Sequence, residues 1–344
     1  MAERPASVRH AESMQSRLTP ALVPLAALTL VLAGCSSQEK ADEPAPDEGE
    51  SSRLVEVSPL TGEELQDGPS DDPILLVKIE NTSAGAPQKG LEKADLVVEQ
   101  LVEGGLTRLA AFYHSAQPKT VGHVRSLRTT DISLAKPVGA SIVASGGAGG
   151  VVDRVKRNKL GVVVEDESAK GFRRDAGKSA PYDRLIDVKA VAKRAKNVEI
   201  PGPYLPFTAE GEESTGPEPK QASSASVRFS PGQTTEWKLS KGTWKRTNGF
   251  AEKEFAADNL IVLEVPVSDA GYTDAAGNPV PETILKGKGK ATILTEDGAV
   301  TAQWTKKGIG GRLTFTADGE EITIDPGKTW IEMIPRGDGS VSTR

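Results

Sequence analysis

The sequence contains few of the residues that stabilise or equip many exported proteins and enzymes. It has one cysteine among 344 residues, so no disulfide can form within the chain and stability must come from core burial. Three histidines supply few general bases or metal ligands, and aromatic residues make up 4% of the chain. Basic residues do not predominate either, and a net charge of −6 argues against a general nucleic-acid binder, which needs a basic face. We therefore predict no cofactor and no nucleic-acid partner.

The apolar run near the start of the chain is too short for a lasting membrane span. Residues 18–32 are fewer than the roughly 20 that cross a bilayer as a helix, and Pro20 and Pro24 interrupt them. A basic leader precedes the run and L-A-G-C closes it at Cys35, an order typical of a cleaved export signal over residues 1–35. Cys35 stands where a bacterial lipobox places its acylated residue. We predict a palmitate-type lipid anchor that holds the protein to the bilayer on the extracytoplasmic face of the cell membrane; a plain secretory signal or a free thiol is the alternative.

The rest of the chain divides by composition into two folded parts. Residues 36–57 are rich in acidic residues and proline, which predicts a disordered tether. Strands mixed with helices predict an N-terminal α/β domain over residues 58–200, and hairpins of period two predict a small antiparallel β domain over residues 227–336. A polar linker at residues 201–226 separates the two domains, and residues 337–344 form a tail. The predicted fold class is α+β.

Apolar runs and helical spacing define the elements of the first domain. The predicted strands are residues 74–80, 140–144 and 162–165, and the predicted helical segments are residues 129–138, 151–160 and 187–196. Asp187 is expected to cap the last of these helices, because a carboxylate at that position accepts a hydrogen bond from a free backbone N–H group.

The strictest pattern is a hairpin surrounded by charges. Two apolar runs, residues 96–102 and 106–114, meet at Gly104 and Gly105, which supply the positive φ of a tight turn. The charged residues in the hairpin or just after it are Glu99, Glu103, Arg108, Arg125 and Arg128. Because buried charges persist only where they are paired or used, these residues are expected either to form structural ion pairs or to line a ligand site.

A glycine-rich loop follows the predicted strand at residues 140–144 and is expected to rim the same pocket. It contains Gly146 and Gly147, and backbone N–H groups between a strand and a helix can receive an anion. A nucleotide is not predicted, because Val152 replaces the last glycine of the dinucleotide motif and no G-K-S/T follows. Arg125 and Arg128 could clamp a carboxylate or phosphate if their segment is helical; in an extended segment they would point to opposite faces.

Three other chemistries compete with ordinary structural roles. Glu99 and Glu103 resemble a glycosidase pair, but residues four apart in a strand are about 13 Å apart, beyond the roughly 5 to 9.5 Å of such pairs. A metal site would require His114, His123 and Asp131 to converge, and ordinary strand positions are the simpler interpretation, so no metal is predicted. The tryptophans of the predicted β domain are Trp237, Trp244, Trp304 and Trp330. They could form a sugar-stacking platform, but their hairpin positions favour core packing.

Motifs from both parts of the chain together resemble a known family. In the first part they are P-L-T-G at 59–62, P-Q-K-G-L-x-x-A-D-L-V-V-E at 87–99, V-E-G-G-L-T-R at 102–108, V-G-H-V-R-S-L-R at 121–128 and A-P-Y-D at 180–183. In the second part they are G-K-G-K-A at 287–291, Q-W-x-K at 303–306 and P-G-K-T-W-I at 326–331. With these motifs the chain resembles the YerB-like bacterial lipoproteins, in which a two-part domain of unknown function follows an export signal. The resemblance implies a membrane-anchored extracytoplasmic protein and implies no established activity.

Taken together, these patterns predict an envelope lipoprotein that binds an anionic wall polymer or a partner protein and is not an enzyme. The residues expected to line its pocket are Glu99, Glu103, Arg108, Arg125, Arg128, Gly146 and Gly147. The alternative is a cell-wall hydrolase or transferase that uses Glu99 and Glu103 with Arg125 and Arg128. A scaffold without any ligand is the third interpretation.

Overall fold

The structure is a computed structural model that describes residues 56–66, 68, 70–165, 170–196, 200, 202–209 and 211–344. The predicted signal, Cys35 and most of the predicted tether lie outside the described residues. Residues 54–344 form one compact unit that contains every element named below. Of the helices in this unit that the structure describes, none has the length and apolar character needed to cross a bilayer.

Strands predominate over helices. In the first half of the chain the strands are β1 (Leu75–Glu80), β2 (Leu96–Leu101), β3 (Thr107–Tyr113), β4 (Val121–Gly122), β5 (Ser141–Ala144), β6 (Val162–Val164), β7 (Phe172–Arg174) and β8 (Arg184–Ile186). In the second half they are β9 (Ser224–Ser230), β10 (Gln233–Ser240), β11 (Thr243–Arg246), β12 (Asn259–Val265), β13 (Val267–Thr273), β14 (Pro279–Thr283), β15 (Gly287–Thr295), β16 (Gly298–Lys306), β17 (Thr314–Ala317), β18 (Glu320–Ile322), β19 (Thr329–Pro335) and β20 (Ser340–Thr343). The helices are α1 (Thr130–Ala135), α2 (Val151–Arg157) and α3 (Val188–Ala192), with 3-10 turns at Ser83–Gly85, Leu91–Lys93, Glu103–Gly105 and Lys136–Val138.

One eleven-stranded sheet runs through both halves of the chain, in the order β18-β17-β16-β15-β12-β19-β2-β3-β1-β5-β6. The halves meet where β19 lies between β12 and β2 and is parallel to both. Every residue of β19 is buried, which is typical of a strand with neighbours on both edges and layers on both faces. The predicted fold class of a mixed α/β part followed by antiparallel β structure is confirmed, with more strand than expected and with these two parallel pairings added.

Both faces of the large sheet carry a hydrophobic core because successive side chains of a strand point to opposite faces. Leu96 and Val98 of β2 lie in one core, whereas Val97 lies in the other. The second core is covered by a four-stranded sheet in the order β11-β10-β9-β20. The four tryptophans are 0–2% exposed and belong to these cores, so the prediction of core packing is confirmed.

The predicted hairpin is confirmed. β2 and β3 pair antiparallel, and the turn between them contains Gly104 at φ 69° and Gly105 at φ 71°. Side-chain-bearing residues rarely adopt such angles, so the paired glycines are required by the turn itself.

The helices predicted at residues 129–138, 151–160 and 187–196 are also found, as the shorter α1, α2 and α3. At the start of α3, Asp187 Oδ1 accepts a hydrogen bond from the Ala190 N–H at 3.0 Å, which confirms the predicted cap.

Two segments predicted to be peripheral belong to the fold. In the predicted linker, Tyr204 and Leu205 are 3% and 0% exposed and pack in the core, and Lys220 pairs with Ala299. The predicted tail contains β20, which pairs antiparallel with β9. These short segments carry few apolar residues, and only the sheet edge beside them determines that they pair.

Candidate functional site

Charged side chains lie on the face of the central strands that contacts α1. Glu80 on β1 and Gln100 on β2 are both register partners of Arg108 on β3, so the three side chains share one face. Lys78, two residues before Glu80, points to the same face and reaches Asp131 on α1. The sheet therefore positions a polar patch at one end of an otherwise apolar core.

Arg125 and Arg128 reach this patch from the irregular segment after β4. The Arg125 N–H donates to the Lys78 carbonyl at 2.9 Å, and the Arg128 N–H donates to Asp131 Oδ2 at 2.7 Å. The segment is not helical, so the two arginines do not meet through helical spacing. Hydrogen bonds from their backbone N–H groups, to the Lys78 carbonyl of β1 and the Asp131 side chain of α1, bring them together instead. We call Lys78, Glu80, Glu103, Arg108, Arg125, Arg128 and Asp131 the basic cluster.

Three cations of the basic cluster, Arg128, Arg125 and Lys78, each pair with one carboxylate. Arg128 donates two hydrogen bonds to Glu103, from Nε to Oε1 and from Nη2 to Oε2, and the Nη2–Oε2 distance is 2.9 Å. Arg125 pairs with Glu80, and its guanidinium carbon lies 4.6 Å from the ring centre of Tyr182.

Lys78 Nζ lies 2.8 Å from Asp131 Oδ1, and both side chains are fully buried. Burial lowers the pKa of Lys78, while the charge of Asp131 opposes this shift. Gln100 Nε2 donates to the same carboxylate at 2.7 Å. The group is nevertheless not fully satisfied, because neither Lys78 Nζ nor Gln100 Oε1 has a hydrogen-bond partner of good geometry among the described residues.

Arg108 is the cation that lacks a carboxylate of its own. Its Nη1 donates to the Ser126 carbonyl at 3.3 Å, and its Nη2 stays 3.9 Å from Glu103, whose oxygens Arg128 already holds. It forms no closer ion pair within the described parts of the chain. Burial and then the charges of Arg128 and Arg125 lower the pKa of Arg108 to about 10. The cluster thus holds four cations against three carboxylates.

The glycine-rich loop lies beside the cluster. The Gly146 carbonyl accepts from the Leu127 N–H at 3.0 Å, and the Ser145 N–H donates to the Arg125 carbonyl at 3.1 Å. Gly147 is exposed, and a Cβ there would lie 2.4 Å from Val151 Cγ1, so close packing against α2 accounts for this glycine. An anion-binding role for Gly146 and Gly147 stays a prediction.

Glu99 is not part of this cluster, and its grouping with the arginines was wrong. It is the register partner of Leu109, one residue from Arg108, so it points to the opposite face of the sheet. There it accepts from Thr107 Oγ1 at 2.7 Å and from Thr235 Oγ1 at 3.1 Å. The structure therefore does not bring Glu99 and Glu103 together as an acid/base pair.

The neighbour of Glu99 is a second buried carboxyl, Glu332, its register partner on β19. Both side chains are 0% exposed. Trp237 Nε1 donates to Glu332 Oε1 at 2.8 Å, whereas Oε2 has no donor among the described residues. Burial and then the charge of Glu99 raise the pKa of Glu332 well above its usual range. Glu332 and Glu99 thus form a buried carboxyl pair in which burial favours the protonated form of Glu332.

The two histidines of the folded part lie apart from each other. His123 is fully buried, with Nε2 3.0 Å from Asp175 Oδ2 and Nδ1 2.8 Å from the Gly85 carbonyl. His114 lies in the wall of a cavity that His123 does not line. Asp131 pairs with Lys78, so the three residues considered for a metal do not converge. In the described ranges, no group of three or more His, Cys, Asp or Glu side chains could hold a metal ion.

Sequence reasoning missed several residues of both buried polar groups. Lys78, Glu80, Asp131 and Glu332 were not selected, although each is buried. A signal was present: Lys78 and Glu80 alternate within the apolar run I-L-L-V-K-I-E, and Glu332 interrupts W-I-E-M-I. Charges at alternate positions of a buried strand require partners, and this requirement could have identified them.

Comparisons with known proteins agree with this architecture. A family model described as "Protein of unknown function (DUF3048) N-terminal domain" matches residues 60–200, and the corresponding C-terminal domain matches residues 225–331. One similar relative is the Bacillus subtilis (strain 168) protein named "Putative lipoprotein YerB", 24% identical over 296 residues, which cover 81% of this chain and 86% of the relative.

The crystal structure of YerB from Bacillus subtilis has the same fold, with a TM-score of 0.69 at 24% identity; the match covers 83% of this chain and 99% of that chain. The two family models together span most of the folded chain, in the order that the motifs predicted. The chain therefore belongs to the YerB-like family of two-part DUF3048 proteins.

Proposed function

We propose that this protein is a lipid-anchored extracytoplasmic protein that binds an anionic group at the basic cluster. The name of the Bacillus subtilis relative, "Putative lipoprotein YerB", supports the lipoprotein assignment, as does the L-A-G-C sequence at Cys35. The observation that carries the binding proposal is Arg108, a buried guanidinium whose nearest carboxylate lies 3.9 Å away and already serves another arginine. An anion entering the cluster would supply the missing partner.

A carboxylate or phosphate suits this position because two of its oxygens match the parallel N–H groups of a guanidinium. Arg108 has five N–H donors, and one weak bond to the Ser126 carbonyl uses only part of this capacity. In a buried setting the charge–charge attraction is screened less than at the surface. The expected ligand is therefore an acidic group of a wall polymer, a peptide or an envelope protein.

Access to the cluster comes from the loop side. Arg125 keeps 12% of its side chain exposed, Ser126 is partly exposed, and Gly104 and Gly147 are exposed. These exposed positions place the solvent side of the cluster at the β2–β3 turn and the glycine-rich loop.

Calorimetric titration with inorganic phosphate and with acetate tests this proposal. Arg108→Met should weaken binding by about 10- to 150-fold, since a hydrogen bond to a charged group contributes about 1.5–3 kcal/mol. The variant should remain folded because it removes an unpaired buried charge. The proposal fails if the wild type binds neither anion, or if Arg108→Met binds them equally well.

Arg246→Met is the matched control on the opposite face of the sheet. Arg246 is buried like Arg108 but pairs with Glu254 at 2.9 Å and donates to Asn81 at 2.9 Å. Its loss should lower stability and leave anion affinity unchanged. A purely structural Arg108 would behave like Arg246, so the two variants separate binding from scaffolding.

The anchor is tested separately with Cys35→Ser. Cells fed an alkyne analogue of palmitate should label the wild-type protein and leave Cys35→Ser unlabelled. The labelled protein should sediment with membranes. Unlabelled wild type in the cytosolic fraction would overturn the anchor and the proposed location.

A further inference from the structure

A cavity of about 340 Å³ lies at the seam between the two halves of the fold, and no residue of the basic cluster lines it. Its walls come from α1, α2, the end of β14 with the segment after it, and the loop between β16 and β17. The volume is at the lower end of the range of small-molecule pockets. Its chemistry differs from that of the basic cluster because apolar and cationic side chains share the lining.

The apolar part consists of Ile132, Leu285 and Ile309. Ile132 and Leu285 are 6% and 4% exposed, whereas Ile309 remains 43% exposed. The loop that carries Ile309 is held by Lys306, whose Nζ donates to the Gly308 and Ile309 carbonyls, both at 2.6 Å. The exposed isoleucine is therefore a fixed wall of the cavity.

The cationic part consists of Arg154, Arg157 and Lys286. Among the residues that the structure describes, none of these three forms an ion pair. The Arg154 guanidinium carbon lies 5.7 Å from the ring centre of Tyr272, which orients it without neutralising it. Glu282 is the carboxyl in the lining; burial raises its pKa, and the charge of Arg154 opposes this shift.

A further unsatisfied group lies in the same wall. The Thr283 hydroxyl is buried, and no hydrogen-bond partner occurs for it in the described part of the chain. A buried hydroxyl without a partner costs free energy that an oxygen of a bound ligand would recover.

We propose that this cavity binds an amphiphilic acid, with a short aliphatic chain against Ile132, Leu285 and Ile309 and a carboxylate or phosphate head against Arg154, Arg157 and Lys286. Fatty acids and phosphorylated lipids share this chemistry. Neither the aliphatic chain nor the acidic head alone would use both walls, so the combination defines the specificity.

The test uses the compact unit, residues 54–344, which contains both cores. Octanoate and octyl phosphate serve as probes in calorimetric titrations, with octanol and inorganic phosphate as half-probes. Either amphiphile should bind at least about tenfold more tightly than both half-probes, because it makes charged and apolar contacts together. Tighter octanoate binding would indicate a fatty acid, and tighter octyl phosphate binding a lipid phosphate.

Arg157 and Lys286 are exposed, so Arg157→Gln/Lys286→Gln should fold normally and bind the preferred amphiphile about tenfold more weakly. Lys156→Gln is the control, since Lys156 is equally exposed on α2 but absent from the lining. Ile309→Asn should weaken binding several-fold, whereas Leu106→Asn, at a residue of nearly equal exposure, should not.

The inference is overturned if neither amphiphile binds, if octanol binds as tightly as both, or if the paired substitution and Lys156→Gln behave alike. Arg108→Met should leave amphiphile binding intact. Loss of amphiphile binding in Arg108→Met would instead assign the probe to the basic cluster and overturn the cavity site.

Discussion

Replacing Glu332 with glutamine is expected to make the free energy of unfolding less dependent on pH and larger at neutral pH. Glutamine keeps the shape of the side chain and can accept from Trp237 Nε1 through its carbonyl oxygen. Its amide N–H can donate to the neighbouring Glu99, its register partner on β2. The substitution therefore removes an ionisable proton without removing the contacts.

The pH dependence arises because native Glu332 holds a proton that the unfolded chain loses. Burial, followed by the charge of Glu99, raises the pKa of Glu332 well above 4.5. Above pH 4.5 the native state thus binds more protons than the unfolded state, and the free energy of unfolding falls as pH rises. Each pH unit over which native Glu332 stays protonated costs about 1.4 kcal/mol.

Urea denaturation of residues 54–344, from pH 4.5 to neutral pH, measures this difference. The advantage of Glu332→Gln over the wild type should grow as pH rises above 4.5, by at most about 1.4 kcal/mol per pH unit. Tryptophan fluorescence reports the transition at the site, because Trp237 contacts Glu332 directly and lies 5.2 Å from Trp330. The free energy of unfolding of Glu320→Gln, a substitution at an exposed position of β18, should change with pH as that of the wild type does.

A constant difference between Glu332→Gln and the wild type across this pH range would refute the reasoning. It would mean that Glu332 ionises in the native state as it does in the unfolded chain. Glu332→Leu provides a second check: it also removes the ionisable group but leaves Trp237 Nε1 without an acceptor, so it should be less stable than Glu332→Gln by about 1–3 kcal/mol at every pH.

Substitutions at three further positions test other parts of the fold by urea denaturation. Burial lowers the pKa of Lys306 from 10.5 to about 8, so between these values the native state binds fewer protons than the unfolded state. The free energy of unfolding of the wild type should therefore rise by up to about 3 kcal/mol relative to that of Lys306→Met as pH rises through this window. A difference that does not change with pH would contradict the lowered pKa. Asp187→Ala should cost about 1 kcal/mol by uncapping α3, whereas Asp187→Asn should cost less, and equal losses would argue against the cap. Lys78→Met leaves Asp131 buried without its cation and should cost about 3–5 kcal/mol; a neutral effect would mean that Gln100 and the Arg128 N–H suffice.

Local patterns account for what could be predicted. The hairpin follows from Gly104 and Gly105, because positive φ is a property of the residue itself, and the Asp187 cap acts over three residues. The sequence also showed Glu103, Arg108, Arg125 and Arg128 as one charged stretch, but their convergence depends on hydrogen bonds to Lys78 of β1 and Asp131 of α1. The sequence by itself determined these elements and the family motifs.

Only the tertiary structure decided which charges share a face and which strands are neighbours. Glu99 and Arg108 lie on opposite faces of the sheet, because Glu99 pairs with Leu109 and successive side chains of a strand alternate between faces. This register is set by both strands together. Glu332 reaches Glu99 because β19 inserts between β2 and β12. That insertion joins the two halves in one sheet. The backbone N–H and C=O groups of a buried strand need hydrogen-bond partners on both edges, and strands distant in sequence supply them for β19.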